Sequence, residues 1–123
     1  MTDLELGLKG EKQAEEFLKK QGYKIIEKNF RTSFGQIDII AKEKNTFCFI
    51  EVKTRRNFSF GLPEEAVTYP KQKKILKVAL AYLKQKGLLN KKVRFDVVSI
   101  LSNKDSYKIN LIRNAFEDNG YVR

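Results

Sequence analysis

Gln36-Ile-Asp-Ile-Ile-Ala41 and Thr46-Phe-Cys-Phe-Ile-Glu51-Val52-Lys53, separated by Lys42-Glu-Lys-Asn45, decide how this chain is read. Both runs are rich in Ile, Val and Phe and read as β-strands. The polar stretch between them suits a hairpin turn. With the turn centred on Lys44-Asn45, residues whose numbers sum to 89 face each other, and Asp38 falls opposite Glu51. Cross-strand partners share a face, roughly 5 Å apart at Cβ. Lys53 is two residues beyond Glu51 and shares that face. Two carboxylates and a lysine therefore converge. Like charges held so close repel unless a cation neutralises them, and a divalent ion with oxygen ligands is the natural candidate.

One hairpin face is expected to be apolar, with Ile37, Ile39, Ala41, Cys48, Ile50 and Val52 packing on a helix layer. The other carries Gln36, Asp38, Ile40, Phe47, Phe49, Glu51 and Lys53, apolar at one end and charged at the other. In this register Gln36 faces Lys53. A merely solvated face is more often polar throughout.

Outward from the hairpin, residues 3–21 read as a helix, with Gly10, Ala14, Phe17, Leu18 and Gln21 at helical spacing and Gly22 as the stop. Tyr23 to Lys28 reads as a first strand and 29–35 as a connecting loop. Residues 54–70 form a loop punctuated by Gly61, Pro63 and Pro70, with a short helical turn at Glu64-Glu-Ala-Val67. Residues 71–86 form a helix with an inner stripe of Ile75, Val78, Ala79, Tyr82 and Leu83 and lysines outside. Val93–Ile100 and Tyr107–Ile112 are the last strands, and 114–123 a loose tail. The order α-β-β-β-α-β-β makes a mixed α/β sheet flanked by helices, expected as a single domain over 1–123.

The chain has 123 residues, suited to one modest core. No apolar run approaches the ~20 residues that span a bilayer, and Met1-Thr-Asp-Leu-Glu-Leu6 lacks the pattern of a secretory signal. The lone Cys48, inside an apolar strand, reads as a core residue. A cytoplasmic, reducing location is the default expectation, with no membrane partner. There is no histidine, which excludes Ser-His-Asp and Cys-His catalysis and any His base or His-built zinc site.

The net charge of +10 is concentrated in one segment: residues 53–94 hold 12 Lys and Arg against Glu64 and Glu65 alone. That asymmetry favours a polyanion, nucleic acid first. The plainer alternative is a lysine-rich, well-solvated helix. Arg55, Arg56, Phe58 and Phe60 interleave bases with aromatics just after Lys53, as in loops that grip phosphates and stack on bases. The plainer role for these two phenylalanines is to anchor the loop to the core.

Hydrolysing a phosphodiester needs a polarised phosphorus, an activated water and neutralisation of the leaving oxygen, and one or two Mg²⁺ or Mn²⁺ ions can serve all three. Mg²⁺ usually takes one or two protein carboxylates and keeps several waters. Asp38 and Glu51 fit that need, the Val52 carbonyl is a further ligand, and Lys53 suits orienting or deprotonating the attacking water. Glu11 borders the buried stripe of the first helix and is a fourth candidate. On the residues alone it is more readily a first-turn acid favoured by the helix dipole. For Asp38, Glu51 and Lys53 the plain alternative is a charged strand end with a Glu–Lys ion pair.

Taken together, Gly7-x-x-Gly10-Glu11-x-x-Ala14, Asn29-Phe30-Arg31, Gly35-Gln36-Ile37-Asp38, Phe49-Ile50-Glu51-Val52-Lys53-Thr54-Arg55, Phe60-Gly61, Lys71-Gln72 and Arg94-Phe95-Asp96-Val97-Val98 resemble the YraN-like bacterial family, which has a restriction-endonuclease-like fold. The first half is also similar to archaeal Holliday junction resolvases. The resemblance implies a metal site of Glu11, Asp38 and Glu51 with Lys53 as the catalytic lysine, and a homodimer by analogy, which nothing in the residue pattern requires. It departs at Gln36, where the family usually has glutamate. The leading expectation is a Mg²⁺-dependent DNA nuclease acting on branched or forked structures, with Arg31, Arg55, Arg56, Lys71 and Lys74 on the phosphates. The rivals are a catalytically silent nucleic-acid-binding module, suggested by Gln36, and a basic protein-interaction domain.

Overall fold

The computed structural model describes residues 1–56, 67–103 and 105–117. The expected turn at 64–67 lies outside them except for Val67, as do Phe58, Phe60, Gly61 and Pro63.

Helix α1 (Asp3–Lys20) opens on a capping box: the Thr2 hydroxyl accepts the Glu5 N–H, and the Glu5 carboxylate accepts the Thr2 N–H. It ends at Gln21, followed by Gly22 in the left-handed region (φ 97°). Its buried positions, Leu6, Gly10, Ala14 and Leu18, recur every four residues, so one stripe meets the sheet. Gly10 lies where that contact is closest. A Cβ there would collide with the Thr54 side chain. Absence of a side chain at Gly10 thus lets α1 lie against the sheet and sets the neighbouring Glu11 at a cleft shared with Val52 to Arg55, the residues that follow Glu51.

Strands β1 (Lys24–Thr32), β2 (Gly35–Glu43), β3 (Thr46–Arg55), β4 (Lys92–Ser102) and β5 (Tyr107–Phe116) form one sheet in the order β1-β2-β3-β4-β5. Only β3 and β4 are parallel, joined by a crossover containing helix α2 (Tyr69–Lys86). The element order is the expected one. Two boundaries differ by more than two residues. The segment 29–35 is not a loop: β1 runs to Thr32 and pairs with β2 through Phe30↔Ile37 and Arg31↔Gln36. Asn29 takes φ 55°, a conformation asparagine tolerates, and the strand continues beyond it. Asn114–Phe116 is strand and not tail, because β5 continues past a bulge opposite Asp96, whose carboxylate accepts the Asn114 N–H at 2.9 Å.

The helices cover opposite faces. On the α1 side, Ala14 and Leu18 of that helix cluster with Tyr23, Ile39, Ala41, Cys48, Ile50, Val98 and Ile100. On the α2 side, Ile75, Leu76, Val78, Ala79, Tyr82 and Leu83 of that helix cluster with Ile40, Phe47, Phe49, Phe95 and Val97. Phe49 is sealed between Phe95 (centroids 5.7 Å) and Tyr82 (5.9 Å), and burying such a ring contributes about 1.5–3 kcal/mol. Cys48 is fully buried, and burial pushes its thiol pKa up to about 12, as expected of a core residue. Ile37 departs from the expected alternation and joins the α2-side cluster. The β2–β3 ladder ends at Ile39, so no pairing with β3 holds the alternation beyond it. Among the described residues no helix is long and apolar enough to cross a membrane.

Candidate functional site

The hairpin register is the one the sequence predicts: Ile39↔Ile50, Ile40↔Phe49, Ala41↔Cys48, Lys42↔Phe47 and Glu43↔Thr46 all sum to 89. The ladder stops one step before Asp38 and Glu51. From there β3 stays paired with β4, through Glu51↔Val97 to Arg55↔Leu101, while β2 parts from it. The two acids therefore stand at a fork in the sheet. Forking strips β3 of ladder partners on that side, and Asp38 supplies one: its Oδ2 accepts the Val52 N–H at 2.8 Å.

Glu51 is 8% exposed and turns toward α2, where its Oε1 meets Lys71 Nζ at 2.7 Å and Lys53 Nζ at 3.4 Å. Asp38 lines two clefts. A cleft of about 540 Å³ on the α1 side also involves Glu11, Lys53 and Arg55. A groove of about 460 Å³ on the α2 side also involves Gln36, Glu51, Lys71 and Lys74. Asp38 thus lies where openings from both faces of the sheet meet, and Glu51 lines the α2-side groove.

The electrostatics follow from this crowding. Burial and the nearby Glu51 charge push the Asp38 pKa up to about 6, against the opposing effects of the Val52 N–H and the Gln36 amide. Glu11 is raised by burial and then by Glu51, with Lys28 pulling the other way. Lys53 is lowered by burial and by the neighbouring Lys71. Burial works against the charge of Lys71, but its contact with Glu51 outweighs this and leaves it raised.

Gln36 does not meet Lys53 in the way the extrapolated register implies. Its amide nitrogen donates to Asp38 Oδ1 and Asn29 Oδ1, both at 3.1 Å, and its oxygen accepts from Arg31 at 2.7 and 3.1 Å. The register fails here because β2 and β3 have already separated. A glutamate at this position could not donate to Asp38 and would add a third acid.

The predicted phosphate-contacting residues scatter. Arg31 is held by Gln36, and Arg56 pairs with Asp3 and the Met1 carbonyl. Arg55 lines the α1-side cleft, its Nε buried without a hydrogen-bond partner. Lys74 is exposed at the α2-side groove, whereas Lys71 is engaged with Glu51. This inward role of Lys71 is missed by a helical-wheel reading, which counts it with the outer lysines. The crossover that brings the start of α2 to Glu51 leaves no local trace in the sequence.

Among the described residues no three acidic, Cys or His side chains gather into a preformed cation cage. The donor set available is Asp38 and Glu51 with the Val52 carbonyl, and Glu11 close enough to feel the charge of Glu51. A pair of mutually repelling carboxylates fits Mg²⁺, which needs only one or two from the protein.

A second polar cluster escaped the sequence reading. Asp96, fully buried, accepts from the Tyr23 hydroxyl at 2.8 Å and from Arg94 Nε and Nη2 at 2.9 Å. Arg94 also donates to Glu43 at 2.7 Å, and Arg113 closes the chain on Glu43 at 2.7 Å. None of these residues lines either cleft. Every charge in it is paired, and it ties β2, β4 and β5 together. Alternation of Arg94 and Asp96 along β4 was the available signal.

Residues 10–100 match the family model described as Uncharacterised protein family UPF0102. A UPF0102 protein of Caldicellulosiruptor saccharolyticus is 49% identical over 118 residues, covering 94% of this chain and 100% of its own length. One from Desulfosudis oleivorans is 50% identical over 113 residues, covering 92% and 90%. One from Clostridium acetobutylicum is 48% identical over 110 residues, covering 88% and 90%. With the family model spanning most of the chain and near-full-length relatives at about half identity, the chain belongs to the UPF0102 family, the YraN-like group that its motifs resemble.

Proposed function

We propose that this protein is a divalent-metal-dependent nuclease that hydrolyses DNA phosphodiester bonds, with branched or forked DNA as its substrate. The observation that carries the reading is the meeting of Asp38 and Glu51 at the fork in the sheet, beside Lys53 and Lys71, where clefts from both faces open. Asp38, Glu51 and the Val52 carbonyl would hold Mg²⁺ or Mn²⁺, with Glu11 lining the α1-side cleft that Asp38 and Val52 share. When bound, the ion lowers the pKa of a water and polarises the scissile phosphate.

The chain's own groups do the rest. Lys53, whose proton is loosened by burial and by Lys71, suits proton transfer at the attacking water better than an ordinary lysine. Lys71 shares Glu51 with Lys53 and would release it when a cation takes the carboxylate. Arg55, whose side chain lines the α1-side cleft, suits a phosphate oxygen, and Lys74 and the other exposed lysines of α2 supply sequence-independent attraction. Resolvase-like chemistry, and a homodimer presenting two such sites to a junction, belong to the same proposal.

The test is cleavage of labelled branched DNA with Mg²⁺ or Mn²⁺, compared with Asp38→Asn and Lys53→Ala. We expect cutting by the parent protein and its loss, by a hundredfold or more on the order typical of general acid–base and charge-stabilising groups, in both variants. Folded variants that cut as well as the parent, or a parent that cuts nothing, would sink the proposal. A second reading, a nucleic-acid-binding module without catalysis, is favoured by one observation: the Gln36 amide occupies Asp38 Oδ1, where a ligand-competent carboxylate would otherwise be open.

A further inference from the structure

We propose that Phe34 and Tyr69 form a stacking subsite for unpaired nucleotides of a DNA substrate, joined by a row of lysines on α2 next to Lys74 of the α2-side groove. The inference rests on reading that groove as a DNA site, and it specifies which part of the substrate enters there.

Both rings are half exposed, Phe34 at 51% and Tyr69 at 50%. Single exposed aromatics are ordinary. These two are set apart by where they sit. Phe34 immediately precedes Gly35 and Gln36, and Tyr69 lies between Thr68 and Pro70; all four of these neighbours line the groove that holds Asp38 and Glu51. The β1–β2 turn thus supplies one aromatic next in sequence to groove-lining residues, and the start of α2 supplies the other.

The space between them is cationic. Tyr69, Lys73 and Lys77 follow one another at four-residue spacing on α2, so they share a helix face, each roughly 6 Å along the axis from the next. Lys73 Nζ lies 4.7 Å from the Tyr69 ring centroid, and Lys77 Nζ lies 5.4 Å from that of Phe34. The row therefore runs aromatic, cation, cation, aromatic, with Lys74 beside it at the groove. Charges track a phosphate backbone, and rings offer faces to bases without regard to sequence. Bases inside a duplex are already stacked on each other and leave no face for a protein ring. The row consequently suits a single-stranded arm leaving a duplex, not the duplex itself.

The test is fluorescence anisotropy in the absence of divalent metal, so that binding is read without cutting. One probe is a duplex with a single-stranded thymidine arm of about ten nucleotides, within the footprint of one stacking module. The other is the same duplex with blunt ends. We expect the parent protein to prefer the armed duplex, and Phe34→Ala and Tyr69→Ala each to lose roughly tenfold in affinity for it. Blunt-duplex affinity should be unchanged, and Tyr69→Phe, which keeps the ring, should bind the armed duplex as the parent does. No preference for the arm, unchanged binding in the alanine variants, or equal losses on both probes overturns the subsite. The outcomes separate from those for catalysis. A parent that cuts, with alanine variants that keep armed-duplex binding, overturns the subsite and leaves the nuclease reading. Selective loss of arm binding in a protein that never cuts supports the subsite and overturns the nuclease reading.

Discussion

The carboxylate of Asp38 accepts the backbone N–H of Val52 at 2.8 Å, bridging the gap where β2 and β3 part. The same side chain is therefore a structural tie and a candidate metal ligand, and two substitutions separate the roles. Asp38→Asn can still accept that N–H but carries no charge. Asp38→Ala leaves a partly buried amide unpaired, at a cost of about 1 kcal/mol. We expect Asp38→Ala to fall below Asp38→Asn in denaturant unfolding, with Mg²⁺ binding lost in both.

The pH dependence of the Asp38→Asn comparison has a definite sign. The Asp38 pKa rises from 3.8 to about 6 on folding, so the folded state holds the proton more tightly than the unfolded chain. The contribution of Asp38 to stability therefore falls as pH rises through that window and levels off above it. The stability of Asp38→Asn relative to the parent should climb between about pH 4 and pH 6, and then stay flat. A constant difference over this range would contradict the burial and Glu51 repulsion assigned to Asp38.

Gln36→Glu exchanges the amide that donates to Asp38 for another negative charge. Without metal the variant should be less stable by about 1 kcal/mol, the net worth of one such hydrogen bond. With Mg²⁺ or Mn²⁺ the added acid should reverse the order, and calorimetric titration should show tighter binding than in the parent. Weaker cation binding by Gln36→Glu would show that position 36 does not belong to the donor set.

The Glu43–Arg94–Asp96 network predicts behaviour in acid. Hydrogen bonds from Arg113, and then from Arg94, hold the Glu43 carboxyl down at about 2, below its usual 4.5, against the effect of burial. Its stabilising contribution is complete above pH 4.5 and is lost as pH falls toward 2. Glu43→Gln should flatten that part of the stability profile. Arg94→Met removes the cation paired with the fully buried Asp96, leaving it only the neutral Tyr23 and Asn114 donors, and should cost about 3–5 kcal/mol in urea unfolding. Arg113→Met, removing a partly exposed guanidinium, should cost under about 1 kcal/mol.

Gly10→Ala puts a methyl into the Thr54 side chain and should push α1 from β3, at about 1–3 kcal/mol. Thr54→Ala in the same chain removes the hydroxyl and methyl it would strike and should recover part of that loss. Thermal unfolding of the single and double variants checks this, and additive losses would show that the two residues do not meet.

Strand and helix positions were legible because they rest on local pattern: β-branched runs in β2 and β3, a four-residue stripe in α1, and a Lys44-Asn45 turn that counts out the hairpin register. The sequence by itself determined that Asp38, Glu51 and Lys53 would come to the same end of one hairpin, because period-two alternation and a short turn leave little freedom. Tertiary structure decided what surrounds them. The fork after Ile39, the return of α2 to place Lys71 on Glu51, the bond from Gln36 to Asp38, and the Tyr23–Asp96–Arg94 network join residues far apart in the chain or on strands that have left their register. Such contacts depend on loop closure and three-dimensional packing, and neither alternation nor helical periodicity encodes them.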